Sequence, residues 1–599
     1  MSEEIAVVVL GARSAGLARR VADALPGSLV HAPDCAACDA DRRFAKATAH
    51  IAGLFAAGTP VVGICAAGIL IRAVGPLLAD KGREPPVVAV AEDASAVVPL
   101  LGGHRGANAL AATIAAALDV RAALTTAGDL AFGVALDAPP PGWRLAEPAL
   151  AKPLMARLLD GAPVRIEVEA GGRCWLDAAE LPRQDDARLS ILVTARDVPA
   201  TPERMVVHPQ VLALGVGCER NAPPEALAAL VEATLAEAGL AAGAVACVVS
   251  LDLKAAEPAV HALAARLDRP ARFFTADALK AETPRLANPS PTVLAATGTP
   301  GVAEAAALRA AGPEGRLVVP KRKGQGCTCA VALAPVPIDP EAVGRARGLL
   351  SVVGIGPGDP ATRTPAVEAR LRQADELVGY GLYLDLVADL GLRALRSAYP
   401  LGDETARCRH ALERAAAGRR VALVCSGDAG IYAMAALVVE LLASSDDPGW
   451  QRVEVEVLPG VSAFQAAAAR VGGAIGHDFC CVSLSDLLTP WPVIERRLEA
   501  AAAGDFVLAL YNPVSQRRRT ALPAARQSLL RHRPAATPVV LARNLGRPEE
   551  QVRIVTLAEL ETDMVDMLTL VLVGNAASRL VPRLDGRDLV LTPRGYPVT

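Results

Sequence analysis

Short runs of Val, Leu, Ile and Ala that stop at a glycine-containing turn and lead into an Ala-rich stretch recur along this chain. Examples are IAVVVLG from Ile5, PVVGICAAGIL from Pro60, LALGVGCERN from Leu212, LLSVVGIGPGD from Leu349 and VALVCSGDAGIYAM from Val421. A strand that is apolar on both faces needs cover on both, and crossover helices supply it. The pattern therefore predicts an α/β architecture with mostly parallel sheets. Hydrophobic residues make up 52% of the chain but aromatics only 3%, so the core must be built from small aliphatic side chains. At 599 residues the chain is too long for one core, and ordinary domain sizes suggest roughly three to five domains.

Several classes of function are disfavoured. The formal net charge is −3, with no basic field for nucleic acid. The start, MSEEIAVVVLG, lacks the basic region and cleavage pattern of a signal peptide. Arg72 interrupts the most apolar stretch before it reaches bilayer-spanning length. We expect a soluble cytoplasmic protein without membrane contact. Of the twelve cysteines, Cys35–Cys38 and Cys327–Cys329 are spaced as close pairs, and Cys480 and Cys481 are adjacent. Free thiols are the simpler reading, and no protein-bound metal is expected.

The C-terminal part carries five turn segments in order. GIGPGD (Gly354–Asp359) follows a strand, but its spacing misses the third glycine of a dinucleotide fingerprint. SGDAGIYAM follows at Ser426, and Asp428 there can accept hydrogen bonds from a ribose or an ammonium group. LPGVSA follows at Leu458, where Ser462 can cap a helix or face a ligand carboxylate. ALYNP at Ala509 and LVGN at Leu572 each end an apolar strand. Each segment alone reads equally as a strand stopping at a turn.

Taken together, the ordered set resembles the tetrapyrrole (corrin/porphyrin) methylase family over roughly Leu349 to Tyr596. GHDFCCVSLSDLLTPW (Gly476–Trp491), LALYNPVSQRR (Leu508–Arg518) and ARNLGRPEE (Ala542–Glu550) resemble its precorrin-3B C-17 methyltransferase branch. One departure is visible: Gly473-Ala474-Ile475 stands where that branch leads one to expect a proline. The resemblance implies two α/β domains holding S-adenosyl-L-methionine between them, and a corrinoid substrate, precorrin-3B or its cobalt form, that is methylated at C-17 as the ring contracts. It implies donor contacts at Pro357, Ser426, Gly427, Asp428, Ile431, Ser462, Ala463, Tyr511, Asn544 and Gly574. His477 and Asp478 are candidates for acid/base work, since histidine is easily poised near neutral pH. Ser485, Asp486, Arg543 and Arg547 are candidate substrate contacts, and Arg517 and Arg518 are alternatively surface residues. A polycarboxylate suits arginine clamps.

The N-terminal part carries GILIRAVGPLLADK and GGHRGAN, then GVGCERN, DLKAAEP and GVAEAAAL. Gly102, Gly103, His104 and Arg105 before a helix could form an anion site. The ordered set resembles cobalt-precorrin-5A hydrolase over most of Ile5 to Ala334, which implies opening of a ring lactone with release of acetaldehyde. Lactone opening needs an activated water and an oxyanion partner. His104, Glu219, Lys254 and Glu257 are candidates by type, and Cys218 is either a nucleophile or a buried turn residue.

The expected fold class is thus α/β and multidomain: N-terminal α/β hydrolase-like domains followed by a two-domain tetrapyrrole methylase fold. The expected limits are 1–136, a middle or linker region 137–207, 208–334, a Pro-rich linker 335–348, and 349–599. The related methylases suggest a homodimer working beside other cobalamin-pathway enzymes. Two rivals stand beside this reading. One is a dinucleotide-dependent oxidoreductase using GIGPGD. The other keeps the methylase and makes the N-terminal half a non-catalytic corrinoid-binding module.

Overall fold

The computed structural model describes residues 5–78, 84–125, 127–172, 174–392, 394–515 and 518–597. The chain forms two compact units, Met1–Arg347 and Gly348–Thr599. Both are α/β. Among the described residues no helix is long and apolar enough to cross a membrane.

The first unit contains three sheets. A six-stranded sheet has the spatial order Arg42–Phe44, Ser28–Pro33, Ile5–Val9, Val61–Ile64, Val87–Val90, Val97–Leu101, parallel except at its last strand. A five-stranded sheet has the order Ala271–Phe274, Val245–Leu251, Leu212–Cys218, Cys327–Leu333, Arg316–Gly324. Its first three strands are parallel and the last two close it as an antiparallel hairpin. Leu212–Cys218 and Val245–Leu251 are buried at every position, as their unbroken apolar runs require. The Ala-rich helix Val302–Ala311 lies so close to this sheet that a Cβ on Gly215 would stand 1.9 Å from the Ala303 carbonyl oxygen. Gly215 and the buried run Ala305–Ala307 are therefore two halves of one packing contact.

Two expectations are corrected here. Residues 137–207 contain a four-stranded sheet, in the order Trp143–Leu145, Arg204–Pro209, Leu189–Val193, Val164–Val168. It has its own core around Leu154, Leu176, Ile191 and Met205. Short strands hid its alternation, and Pro153 lies inside the helix Pro148–Leu159, where a proline is usually read as a break. The Pro-rich stretch 335–348 is also no free linker up to Arg345, its eleventh residue. Ile338 is buried, the backbones of Arg345 and Phe273 bond each other in both directions, and Arg345 pairs with Asp252 at 2.8 Å. The Arg272 guanidinium gathers the carbonyls of Glu341, Val343 and Gly344.

The second unit has two main sheets. The first is wholly parallel, in the order Leu395–Tyr399, Glu376–Tyr380, Arg420–Cys425, Leu349–Gly354, Glu454–Leu458. The second is mixed, in the order Phe479–Ser483, Val507–Tyr511, Thr569–Val573, Pro538–Arg543, Gln551–Thr556. There Phe479–Ser483 and Val507–Tyr511 are parallel, and Thr569–Val573 runs against both its neighbours. Gly472–Gly473 pairs with Leu589–Leu591, and Gly476 lies where a Cβ would meet the Thr592 carbonyl oxygen at 2.3 Å. This close backbone approach is what the GGAIG segment provides.

One buried carboxylate ties together the segments around the helix Val302–Ala311. Glu304, 1% exposed, accepts hydrogen bonds from the amides of Ala287, Asn288 and Lys321 at 2.9 Å each and from the Asn288 side chain at 2.8 Å. Burial alone would raise its pKa, but the four donors outweigh it and hold the group below the usual carboxylate range. Its stabilising contribution is therefore complete above the unfolded pKa of about 4.3 and is lost as pH falls through the lower folded value. Glu304→Gln should cost roughly 2–4 kcal/mol near neutral pH, because an amide presents donors to donors. The gap between wild type and variant, measured by calorimetry, should narrow between about pH 6 and pH 3.

Candidate functional site

The strands Arg420–Cys425, Leu349–Gly354 and Glu454–Leu458 are adjacent and parallel, so the turns after them share one edge of the sheet. In open α/β sheets that edge is where ligands bind, at the point where the connections leave in opposite directions. The three turns touch backbone to backbone. A Cβ on Gly460 would lie 2.2 Å from the Gly427 carbonyl oxygen and 2.4 Å from that of Gly354. A Cβ on Gly354 would lie 2.6 Å from the same Gly427 oxygen. Gly356 and Gly427 exchange both backbone hydrogen bonds, at 3.1 and 2.7 Å, with Gly427 at φ 68°. The Asp428 carboxylate then accepts from the Gly430 amide at 2.8 Å and the Gly460 amide at 3.1 Å, fixing the second turn to the third.

The helix Ala463–Val471 starts directly after this junction. Its capping box pairs Ser462 with Gln465, whose side chain accepts the Ser462 amide at 3.0 Å. Ser462 is 3% exposed, and the Phe464 amide donates to the Tyr511 hydroxyl at 3.4 Å. The Tyr511 and Tyr432 rings lie 5.2 Å apart, and burial pushes the Tyr511 hydroxyl well above its usual range. From the second sheet the loop after Pro538–Arg543 brings Arg547 across. Its Nε donates to the Pro357 carbonyl at 2.8 Å, its Nη2 donates to the Ser426 hydroxyl at 2.8 Å, and its guanidinium lies 6.0 Å from the Tyr383 ring centre. Burial pulls Arg547 below its ordinary range, though an arginine stays charged.

These elements enclose a cavity of ≈ 1340 Å³. Its wall takes Pro357, Ser426, Asp428 and Ile431 from the first sheet's turns, Ser462 and Ala463 from the helix start, and Tyr511, Asn544 and Leu570 from the second sheet. Arg518 bonds the Ser485 hydroxyl at 3.1 Å and approaches Asp486 at 3.4 Å on the same wall.

Comparison with known proteins assigns these segments. Residues 349–561 match Tetrapyrrole (Corrin/Porphyrin) Methylases, residues 212–332 match Cobalamin synthesis G C-terminus, and residues 49–129 match Cobalamin synthesis G N-terminal. A precorrin-3B C(17)-methyltransferase of a Sinorhizobium species is 44% identical over 249 residues, covering 42% of this chain and 97% of that protein. The chain belongs to the tetrapyrrole methylase family. A probable cobalt-factor III C(17)-methyltransferase of Salmonella typhimurium is likewise 44% identical, over 41% of this chain and 99% of that protein. Among solved structures, that of CobE, a protein from the cobalamin (vitamin B12) biosynthetic pathway, is 38% identical. It covers 21% of this chain and 91% of that one, with a TM-score of 0.20.

In this methylase, nine of the ten expected donor contacts lie on the cavity wall: Pro357, Ser426, Gly427, Asp428, Ile431, Ser462, Ala463, Tyr511 and Asn544. Gly574 does not. Thr569–Val573 runs antiparallel, so its end at Gly574 faces away, and its beginning, Leu568 to Leu570, lines the cavity instead. The Gly574 carbonyl is occupied by Arg533 at 2.6 Å. The same geometry removes His477 and Asp478, which precede the strand Phe479–Ser483, whereas the cavity lies beyond its far end at Ser483. Six residues of extended chain span roughly 20 Å. His477 and Asp478 are half-exposed and exposed, and pair with each other at 3.5 Å. Of the candidate substrate contacts, Ser485, Asp486 and Arg547 line the cavity, while Arg543 is outside its wall and bonded to Asp566 at 2.7 Å. Arg517 lies outside the described residues. Arg407, not singled out in the sequence, also lines the cavity.

In the first unit, the His104 side chain lies outside what the structure describes. Gly102 and Gly106 turn the chain there at φ 73° and 103°. Glu257 precedes the helix Pro258–Leu267, and its carboxylate accepts the Asn221 amide at 3.0 Å and faces the Lys254 ammonium at 3.4 Å. Cys218 is buried, and burial pushes its thiol up to about 11, which disfavours a nucleophile. Glu219 lies against Gly326.

The glycine junction predicts a sharp contrast. Gly460→Ala puts a methyl group into two carbonyl oxygens and should cost about 3–5 kcal/mol. In calorimetry of the full chain that should lower the transition of the second unit by roughly 6–20 °C. Gly430→Ala meets only the Asp428 side chain, at 3.3 Å, and should change stability by less than about 1 kcal/mol. Equal effects of the two would show that the backbone junction does not set the stability of this unit.

Proposed function

We propose that the second unit transfers a methyl group from S-adenosyl-L-methionine to C-17 of precorrin-3B or its cobalt-containing counterpart, with ring contraction, in cobalamin biosynthesis. The observation that carries this is the cavity. At ≈ 1340 Å³ it exceeds the roughly 300–1,000 Å³ usual for one small ligand, so it has room for a donor and a macrocycle together. Family membership and the 44% identity to a precorrin-3B C(17)-methyltransferase name the chemistry.

The wall suits the donor. Ala463 offers its amide at a helix start, beside the capped Ser462, a setting that favours an anionic group. Asp428 keeps acceptor capacity beyond its two backbone bonds, and Tyr511 with Tyr432 offers aromatic surface. When bound, S-adenosyl-L-methionine supplies an electrophilic methyl group. The residues' task is then positioning, which is the main demand of an in-line displacement. Arg518 and Arg547 suit the carboxylates of the macrocycle, with Ser485 and Asp486 beside them.

For the first unit the matches to both Cobalamin synthesis G segments favour cobalt-precorrin-5A lactone hydrolysis with acetaldehyde release. Lys254 and Glu257, side chains 16% and 10% exposed and 3.4 Å apart, are its best acid/base pair. A non-catalytic corrinoid-binding role is the other reading of this unit. The assignment places the hydrolase-like parts within 1–334 and the methylase in 349–599, in a cytoplasmic homodimer acting beside other enzymes of the pathway.

The full chain, incubated with S-adenosyl-L-methionine and either precorrin-3B or its cobalt form, should add one methyl group by mass spectrometry. The form that gains it fixes the metal state of the substrate. No gain on either would refute the C-17 assignment. Acetaldehyde release after the next methylation separates a hydrolase from a binding module.

A further inference from the structure

Buried charge on the cavity wall is unevenly matched. Arg407 lies on the helix Glu404–Ala416, and its side chain is 4% exposed. Its Nη2 donates to the Met434 thioether sulfur at 3.4 Å and stands 3.6 Å from Glu404, which is 37% exposed and one helical turn back. Its Nε has no hydrogen-bond partner. The titratable groups that feel its charge, Tyr383, Cys408 and Cys425, are neutral at ordinary pH. A thioether is a weak acceptor and a partly exposed i,i+3 carboxylate a weak counter-ion, so the desolvated guanidinium is only weakly compensated. Met434 and Cys425 line the cavity with it, so this charge stands at the wall of a ligand space rather than in a closed core.

We propose that Arg407 is a carboxylate receptor of the cavity: a positioning and affinity residue whose missing partner is the carboxylate of a bound ligand. The inference rests on the methylase reading for the identity of the ligands. Two sources share this chemistry: the methionyl carboxylate of the donor and the acetate or propionate arms of the macrocycle. Arg518, by contrast, already bonds Ser485, Asp486 and the Asn512 carbonyl, and Arg547 already bonds Pro357 and Ser426. Of these three, Arg407 keeps the most donor capacity for a ligand, and its fork geometry matches a carboxylate.

The test uses Arg407→Met and Arg407→Lys in the full chain. Binding is read by titration with S-adenosylhomocysteine and, separately, with the cobalt-containing tetrapyrrole substrate, so that a failure of methyl transfer leaves the result readable. Arg407→Met should keep or raise the melting temperature, because an apolar side chain replaces a weakly compensated buried charge. It should weaken one of the two ligands by about tenfold or more. Loss on S-adenosylhomocysteine, with an unchanged Kd for decarboxylated S-adenosylmethionine, assigns the donor carboxylate. Loss on the tetrapyrrole alone assigns the macrocycle. Arg407→Lys keeps the charge but not the fork, should fold in any case, and should show a smaller loss on the same ligand. If both ligands bind either folded variant within about twofold of wild type, the proposal is overturned, whatever the melting temperature does.

Discussion

The second unit depends on one contact, the meeting of three backbones at Gly354, Gly427 and Gly460. Each glycine ends or follows a different strand of the parallel sheet; Gly354 and Gly460 have no room for a Cβ, and Gly427 turns the chain at φ 68°. Because the turns touch, they cannot move independently, and each polar group on them is placed by the other two. Asp428 reinforces the junction through the Gly460 amide, and Gly356 through its paired bonds to Gly427. The helix carrying Ser462 and Ala463 starts directly after it, so the junction sets where that helix points its amides. A cavity built this way is preformed by covalent geometry and close packing, which suits a reaction whose main demand is orientation.

The alternation of strand, glycine turn and helix was legible because fully buried strands leave unbroken apolar runs. The order GIGPGD, SGD, PGVS was readable only as a family resemblance; that the three turns share one edge of one sheet is a finding of the structure. What the sequence hid was direction. Nothing in LTLVLVGN says that its strand runs against its neighbours, and a strand end looks alike at either edge. Gly574, His477 and Asp478 all lie at turns at the opposite end of the second sheet's strands from the cavity wall. The four-stranded sheet of 137–207 was hidden by short strands and by Pro153 within a helix. The strap ending at Arg345 was hidden because its hold on the first unit is made largely of backbone bonds and a distant arginine, Arg272, neither of which leaves a local signal.

Arg407 was illegible for another reason. ETARCRHALERAA reads as a solvated helix with charge on every turn, and single arginines on such a helix usually face water. Burial of one of them follows only from the sheet packed behind it and from the start of the helix Met434–Ala443, whose first residue takes its hydrogen bond. The same helix supplies His410 and Arg414 to a different partner, Glu376, at 2.7 and 2.6 Å. One amphipathic sequence therefore carries two opposite uses of charge, and only tertiary structure tells them apart.

That contrast extends to the buried charges of both units. Glu304 is sealed in and takes four donors; Glu376, 1% exposed, takes His410, Arg414 and Ser397; Arg363, its side chain 1% exposed, is forked onto Asp389. Arg533, its side chain fully buried, spends its terminal nitrogens on the carbonyls of Gly574 and Phe506. Each of these charges is answered from within the fold, as the desolvation cost demands. Arg547 and Arg407 break the rule in graded fashion. Arg547 is answered only by a carbonyl and a hydroxyl, and Arg407 by a sulfur and a loosely held glutamate. Both line the one cavity that the family's motifs surround. A desolvated cation with only weak internal compensation raises the energy of the empty site, and an anionic ligand entering that site removes the penalty. At the cavity wall the incomplete pairing of Arg407 thus falls where binding can offset it, and there charge satisfaction adds to what residue type alone tells.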